Sequence, residues 1–264
     1  MADVKLSAMD LYTGSEDPLA IDLYTIQSGV QKRIHPSQLG LAVPATTQTV
    51  NFNSSMTASQ IQALIDAIPT FIPSGNIVTL QFADGTYSSL AGTIATIGFY
   101  GGGKLYILGN SGDSGLNTSK SVHLDFTGDA CDGLDISECY VTVEARYFKI
   151  TCDDGHKCID YQNVIGEGKV ADNYLVNIAK TSSNSRGISI GSSSIFLQNN
   201  YFSNNKYAIN ATSNSKVYSF NNDDTGTLPD IGLRSTSNTS IGKNGTQPSG
   251  SSSNEEALFG GVIR

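Results

Sequence analysis

The chain has no tryptophan, only three histidines and few charges, with 15% of its 264 residues Asp, Glu, Lys or Arg. His35 precedes Pro36 and His123 opens an alternating run, so three histidines in these settings define no Ser/His/Asp arrangement. The net charge of -8 leaves no Lys/Arg stripe to displace counterions from a phosphate backbone, which excludes nucleic acid as a partner. No apolar run is long enough to span a bilayer, so no membrane insertion is expected. The opening Met1-Ala-Asp-Val-Lys-Leu6 lacks the apolar stretch of a signal peptide, so synthesis in a cytosol is expected.

Cysteine is also scarce, and its four copies at 131, 139, 152 and 158 fall in one stretch, with His156 among them. In a reducing cytosol these read as buried free thiols. The paired CxxC spacing of a structural zinc site is missing, so neither a metal nor another cofactor is expected.

What is present is glycine (27), tyrosine (12) and phenylalanine (10) among many Ser, Thr and Asn residues, with 39% hydrophobic content. That mixture suits short strands punctuated by turns, with enough apolar mass for one core.

Residues 1–45 read as a separate module. Asp22-Leu-Tyr-Thr-Ile26 and Val30-Gln-Lys-Arg-Ile34 alternate like strands around Gln27-Ser28-Gly29, which predicts a β-hairpin. Residues 46–76 read as a linker and a helix. Thr57 stands three residues before Gln60 in capping-box spacing, Ile61, Leu64, Ile65 and Ile68 recur at helical intervals, and Pro69 stops the pattern. Such a helix would cap the end of something larger.

From Ile77 the period changes to two. Between positions 120 and 241, apolar triplets recur at Leu134/Ile136, Ile159/Tyr161, Ile188/Ile190, Ala208 and Ile231/Leu233, at irregular but similar intervals. A second set of strands lies between them: Val141–Val143 with Tyr147–Ile150, Val170 with Tyr174-Leu175, Ile195–Leu197 with Tyr201-Phe202, and Val217–Phe220. Two or three strands per turn of twenty-odd residues is the pattern of a parallel β-solenoid, in which no turn buries its apolar residues alone. Asn199-Asn200, Asn204-Asn205 and Asn221-Asn222 follow strands, where Asn accepts left-handed backbone and can bond to an adjacent turn. The expected fold is therefore all-β, a right-handed parallel β-helix over 77–243 with an N-terminal hairpin, a capping α-helix and a tail at 244–264 that closes or prolongs the coil.

Several segments carry a resemblance. Asp22 through Leu39 is similar to the N-terminal attachment hairpin of many tail fibres. Thr57 through Pro69 followed by Phe82-Ala-Asp-Gly-Thr-Tyr87 resembles the entry into a pectate-lyase-like helix. Gly232-Leu-Arg234, Ile241 through Gly250 and Gly260-Gly-Val-Ile-Arg264 resemble a recurrent ending of β-helical prophage proteins. The chain thus resembles the β-helical tail fibre and tailspike proteins of bacteriophages and prophages. This resemblance implies a homotrimer made in the host bacterial cytoplasm and located in the tail of the virion. Its N-terminus would attach to baseplate or tail proteins, with Tyr24, Ile26, Val30 and Ile34 as the attachment residues. Its body would contact the host surface, including a surface glycan.

Two chemical motifs compete with bland readings. Gly98 through Leu105 approaches a phosphate-binding loop, but Leu105 stands where a magnesium-reaching Ser/Thr is needed, so a glycine-rich turn is preferred. Asp132, Asp153 and Asp154 are the candidate acids for a polysaccharide depolymerase. Asp132 and Asp153 are 21 apart, as are Cys131 and Cys152, so each pair is expected to stack on successive turns. Stacked carboxylates repel, which raises one pKa or recruits a cation. Cys131-Asp-Gly133 and Asp153-Asp-Gly155 are equally ordinary turn sequences. The leading functional expectation is a structural or adhesive virion protein, and the alternative is a depolymerase of host capsule or cell wall.

Overall fold

The computed structural model describes residues 23–27, 30–34, 44–88 and 90–264. Two compact units divide at residue 44. In the first, Leu23–Gln27 pairs antiparallel with Val30–Ile34, giving the expected hairpin.

The second unit is a parallel β-solenoid of about seven coils, whose strands fall in turn into three parallel sheets of nine, six and seven strands. Coil three shows the plan: Tyr140–Arg146 enters the nine-stranded sheet, Phe148–Cys152 the six-stranded, and Lys157–Gln162 the seven-stranded. Alternation within each strand sends one residue in two to the interior, and the parallel register stacks those residues into columns. One column runs Val78, Leu105, Val143, Gly168, Ile195, Val217, Ile241, Ile263. Another runs Ile94, Leu134, Ile159, Ile188, Ile209, Leu233. Gly168 interrupts the first column because the fully buried Tyr161 fills its place, the phenolic oxygen occupying the space a Cβ would need.

Each corner carries its own side-chain ladder. Between the nine- and six-stranded sheets, Asn200 Nδ2 donates to Asn222 Oδ1 (2.9 Å), and Asn173 Nδ2 to Asn200 Oδ1 (3.1 Å). Between the six- and seven-stranded sheets, Asn205 Nδ2 donates to Asn177 Oδ1 (2.6 Å). At the third corner the backbone N–H of Val164 donates to Ser193 Oγ, that of Ser193 to Ser215 Oγ, and that of Ser215 to Thr239 Oγ1. The ladders satisfy backbone groups that would otherwise be buried without partners. Residues just before or within the corners take left-handed backbone, including Asp172, Asn199, Asn204 and Asn221.

The helix Ala58–Asp66 begins on the expected capping box of Thr57 and Gln60 and packs on strands Gln48–Phe52 and Ile94–Ile97. Ile61, Ile65 and Ile68 are buried, while Leu64 is exposed. At the opposite end the columns turn polar: Leu197 is followed by Ser219 and Lys243, Phe202 by Asp224, and Leu233 by Glu255. Lys243 and Glu255 form an ion pair there. Inward charges of this kind discourage pairing along the open strand edges.

Several expectations need correcting. The solenoid begins before residue 77, since Gln48–Phe52, within the expected linker, is the first strand of the nine-stranded sheet, while Ser253–Leu258 and Val262–Ile263 prolong the coil through the tail, one of the two outcomes expected for it. Gly101–Gly103 lie within strand Tyr100–Leu108 rather than in a turn, because the strand passes too close to Ile72 and Pro73 for side chains. Cys152 stands opposite Phe126, not Cys131. All four cysteines are free thiols, three of them fully buried and Cys131 partly so, and burial pushes the Cys139 thiol up to about 11.

Candidate functional site

The outward residues of the seven-stranded sheet carry the richest chemistry of the solenoid. The central residues of successive triplets align in one column: Asp135, Asp160, Ser189, Asn210, Arg234, Glu256. A neighbouring column holds Lys157, Arg186 and Tyr207. Both columns are outward because their neighbours Leu134, Ile136, Ile159 and Tyr161 fill the core.

Asp135 and Asp160 are register partners on adjacent coils. Parallel strands lie about 4.8 Å apart, so these carboxylates form a like-charged pair. Burial raises the Asp135 carboxyl above its ordinary value; the Ser137 hydroxyl opposes that shift, and the charge of Asp160 adds to it. Asp160 is held by Lys157 Nζ (2.5 Å) and Gln162 Nε2 (2.6 Å). Burial lowers the Lys157 amine, but bonding to Asp160 and the charges of Asp160 and Asp132 outweigh it and leave the group raised. A carboxyl biased toward its protonated form thus stands beside one held by a cation, an arrangement that can donate and accept protons.

The three acids expected from the sequence lie apart from this pair in roles. Asp132 accepts the backbone N–H of Lys157 (2.9 Å) and lies 3.5 Å from His156 Nδ1 and 3.4 Å from Lys157 Nζ, joining coils two and three. Asp153 accepts the backbone N–H of Gly128 (2.9 Å), joining the same two coils. Asp154 accepts from the hydroxyls of Ser185 and Thr181 and from the backbone N–H of Ser182 (3.0 Å), joining coils three and four. Those bonds hold the Asp154 carboxyl down to about 2. Asp132 and Asp153 are not stacked, because the register sets Cys152 opposite Phe126 and Ile159 opposite Leu134, a longer step than the interval between the two acids. The register brings together Asp135 and Asp160 instead, a pair that the sequence expectation does not include.

A second polar cluster ties the loop 109–121 to the coils. Asp172 accepts from Arg146 Nη2 (2.8 Å), Gly115 N (2.8 Å) and Asn199 Nδ2 (3.1 Å), and Lys120 Nζ donates to the carbonyls of Asp113 and Gly115. Burial raises the Asp172 carboxyl, yet these hydrogen bonds together hold it below its usual value. Its groups face one another, so this cluster is a structural clasp.

The hairpin register sets Tyr24 opposite Arg33, Ile26 opposite Gln31, Val30 opposite Gln27 and Ile34 opposite Leu23. The side chains of these four expected attachment residues lie outside the described part of the structure. Among the described residues no cluster of three or more His, Cys, Asp or Glu is arranged to hold a metal ion, and no helix is long and apolar enough to cross a membrane. No protein-family model, curated protein or solved structure matches the chain.

Proposed function

We propose that this chain is a structural and adhesive subunit of a phage or phage-tail-like particle, a trimeric tail fibre or short tailspike. The observation that carries the reading is a hairpin unit followed by a laddered parallel solenoid, in the order of the attachment hairpin and β-helical body of the tail appendages that the sequence resembles. A solenoid with hydrogen-bonded ladders along its corners is stiff, as a fibre or spike must be. Asp132, Asp153 and Asp154 fit this role as staples between coils. The hairpin, with Tyr24, Ile26, Val30 and Ile34, would dock on a baseplate or tail protein, and the body would touch the host surface. Sedimentation equilibrium of the purified chain tests the assembly. The expected mass is three times that of the chain, and a monomer at every concentration would count against the reading.

A depolymerase reading is favoured by one observation, the pairing of Asp135 with Asp160 on adjacent coils. Strands about 4.8 Å apart set the two acids side by side on one outward face, as a two-carboxylate glycosidase requires, with Asp135 as acid and Asp160 as nucleophile. Release of reducing ends from capsule or cell-wall glycans, lost in both Asp135→Asn and Asp160→Asn, would support it. Equal release by the wild type and both variants would remove it.

A further inference from the structure

Arg186 is a partly buried guanidinium that bonds only to neutral oxygens: Ser189 Oγ (3.2 Å), Asn184 Oδ1 (3.1 Å) and the Ser183 carbonyl (3.4 Å). Among the described residues no carboxylate lies within ion-pair distance of it. Arg234, two coils further on, stacks its guanidinium over the Tyr207 ring at 4.7 Å. Arg186 reaches the neighbouring column through Ser189, and in that column the fully buried Asn210 stands in register between Ser189 and Arg234. Its Oδ1 accepts from Arg234 Nη1 (3.4 Å), which fixes the amide orientation, because an arginine can only donate. Its Nδ2 has no acceptor.

Of the two arginines, Arg234 has a carboxylate partner in Glu256 and Arg186 has none among the described residues. Burial and the charge of Arg234 both disfavour the charged form of Arg186, and the attraction of Asp160 only partly offsets them. Asp160 is itself committed to Lys157 and Gln162. Glu256 balances Arg234 at 2.6 Å, on the side away from Asn210 in the register. What remains is one unbalanced guanidinium, a second beside it, and a buried amide N–H without an acceptor, three donors that an anionic oxygen would satisfy.

We propose that Arg186, Arg234 and Asn210 form an oxyanion-binding site, taking a carboxylate or sulfate group. The site is independent of the virion and depolymerase readings, since its donors include neither the hairpin nor the Asp135 and Asp160 carboxylates. The ligand group would bridge the two arginines across coil five and accept from Asn210 Nδ2. The free inorganic ion and the acidic sugar are two sources of the same chemistry.

Titration calorimetry of the full chain at constant ionic strength, with sodium sulfate in one series and sodium glucuronate in the other, separates the sources. Saturable binding of either is expected, and tighter binding of glucuronate assigns the site to a sugar acid. Arg186→Gln should weaken it roughly tenfold or more, while the exposed Lys216→Gln, on another sheet, should leave it unchanged. Asn210→Asp supplies the missing anion from within the chain, so it should abolish binding and raise the urea midpoint. Absence of saturable binding with both salts, an Arg186→Gln titration equal to wild type, or an Asn210→Asp variant that binds normally would each overturn the proposal.

Discussion

The side chain of Gln62 pairs with the backbone of Ala95 in both directions: Nε2 donates to the Ala95 carbonyl at 3.0 Å, and Oε1 accepts the Ala95 N–H at 2.8 Å. The helix thereby offers the edge strand Ile94–Ile97 the hydrogen bonds of a missing neighbour. An edge that would otherwise invite pairing is satisfied from within the chain.

Gln62→Ala should therefore destabilise the solenoid by about 1–2 kcal/mol. Its most specific sign would be faster hydrogen exchange at the Ala95 amide, with the amides of coil four unchanged. Unaltered exchange at Ala95 would show that the pairing adds no protection.

The asparagine ladder makes a larger prediction. Asn200 accepts from the backbone and side-chain N–H of Asn173 and donates to the Val170 carbonyl and to Asn222. Asn200→Ala leaves several fully buried groups without partners and should cost about 2–3 kcal/mol in urea unfolding. An unfolding midpoint equal to that of the wild type would mean the ladder is not tightly coupled.

Phe259 offers a stabilising change. It is 82% exposed with φ of 49°, at the corner where other coils place Glu138, Asn163, Ser192, Ser213 or Ser237 in the same left-handed region. Phe259→Asn should raise stability by about 0.5–1 kcal/mol, because asparagine tolerates that backbone better than a bulky side chain. A fall in the unfolding midpoint would point instead to a packing role for the ring.

Two acids predict opposite pH behaviour. The folded state holds the Asp135 proton to higher pH than the unfolded chain does, so ionising Asp135 costs stability as pH rises through its raised pKa. Asp135→Asn should be more stable than wild type at pH 7, and the difference should vanish below the unfolded carboxyl value of about 3.9. Asp154 is depressed to about 2, so its contribution is complete above the unfolded value and fades as pH falls toward 2. Asp154→Asn should thus be less stable at pH 7 and converge with wild type near pH 2. Denaturant midpoints between pH 2 and 7 measure both, and parallel curves for either variant would contradict its assignment.

Much of the fold is legible in the sequence because the coils repeat the same pattern. The triplets at 134, 159 and 188 sit in register as expected. The next two differ: the column continues through Ile209 and Leu233, not Ala208 and Ile231. In Tyr207-Ala-Ile-Asn-Ala211 every residue is buried, so the alternation that marks inward positions is hidden. The asparagine pairs after strands do form left-handed corners with bonding amides, which the sequence could show because their chemistry is local. The active-looking acids are harder. Asp132 and Asp153 share an attractive interval, yet register is set by the apolar columns, which take a longer step there. Asp135 and Asp160 have a signal in the shared pattern of Leu134-Asp-Ile136 and Ile159-Asp-Tyr161, an acid at the outward centre of two aligned triplets. Arg186 and Asn210 have none, because their significance lies in which partners they lack.

Cryo-EM of tail particles purified from the cells that make this chain tests the central claim most directly. The predicted result is density for the solenoid in groups of three on the tail or baseplate, with the hairpin strands Leu23–Gln27 and Val30–Ile34 against a particle protein. Particles of intact morphology that lack the chain would contradict it.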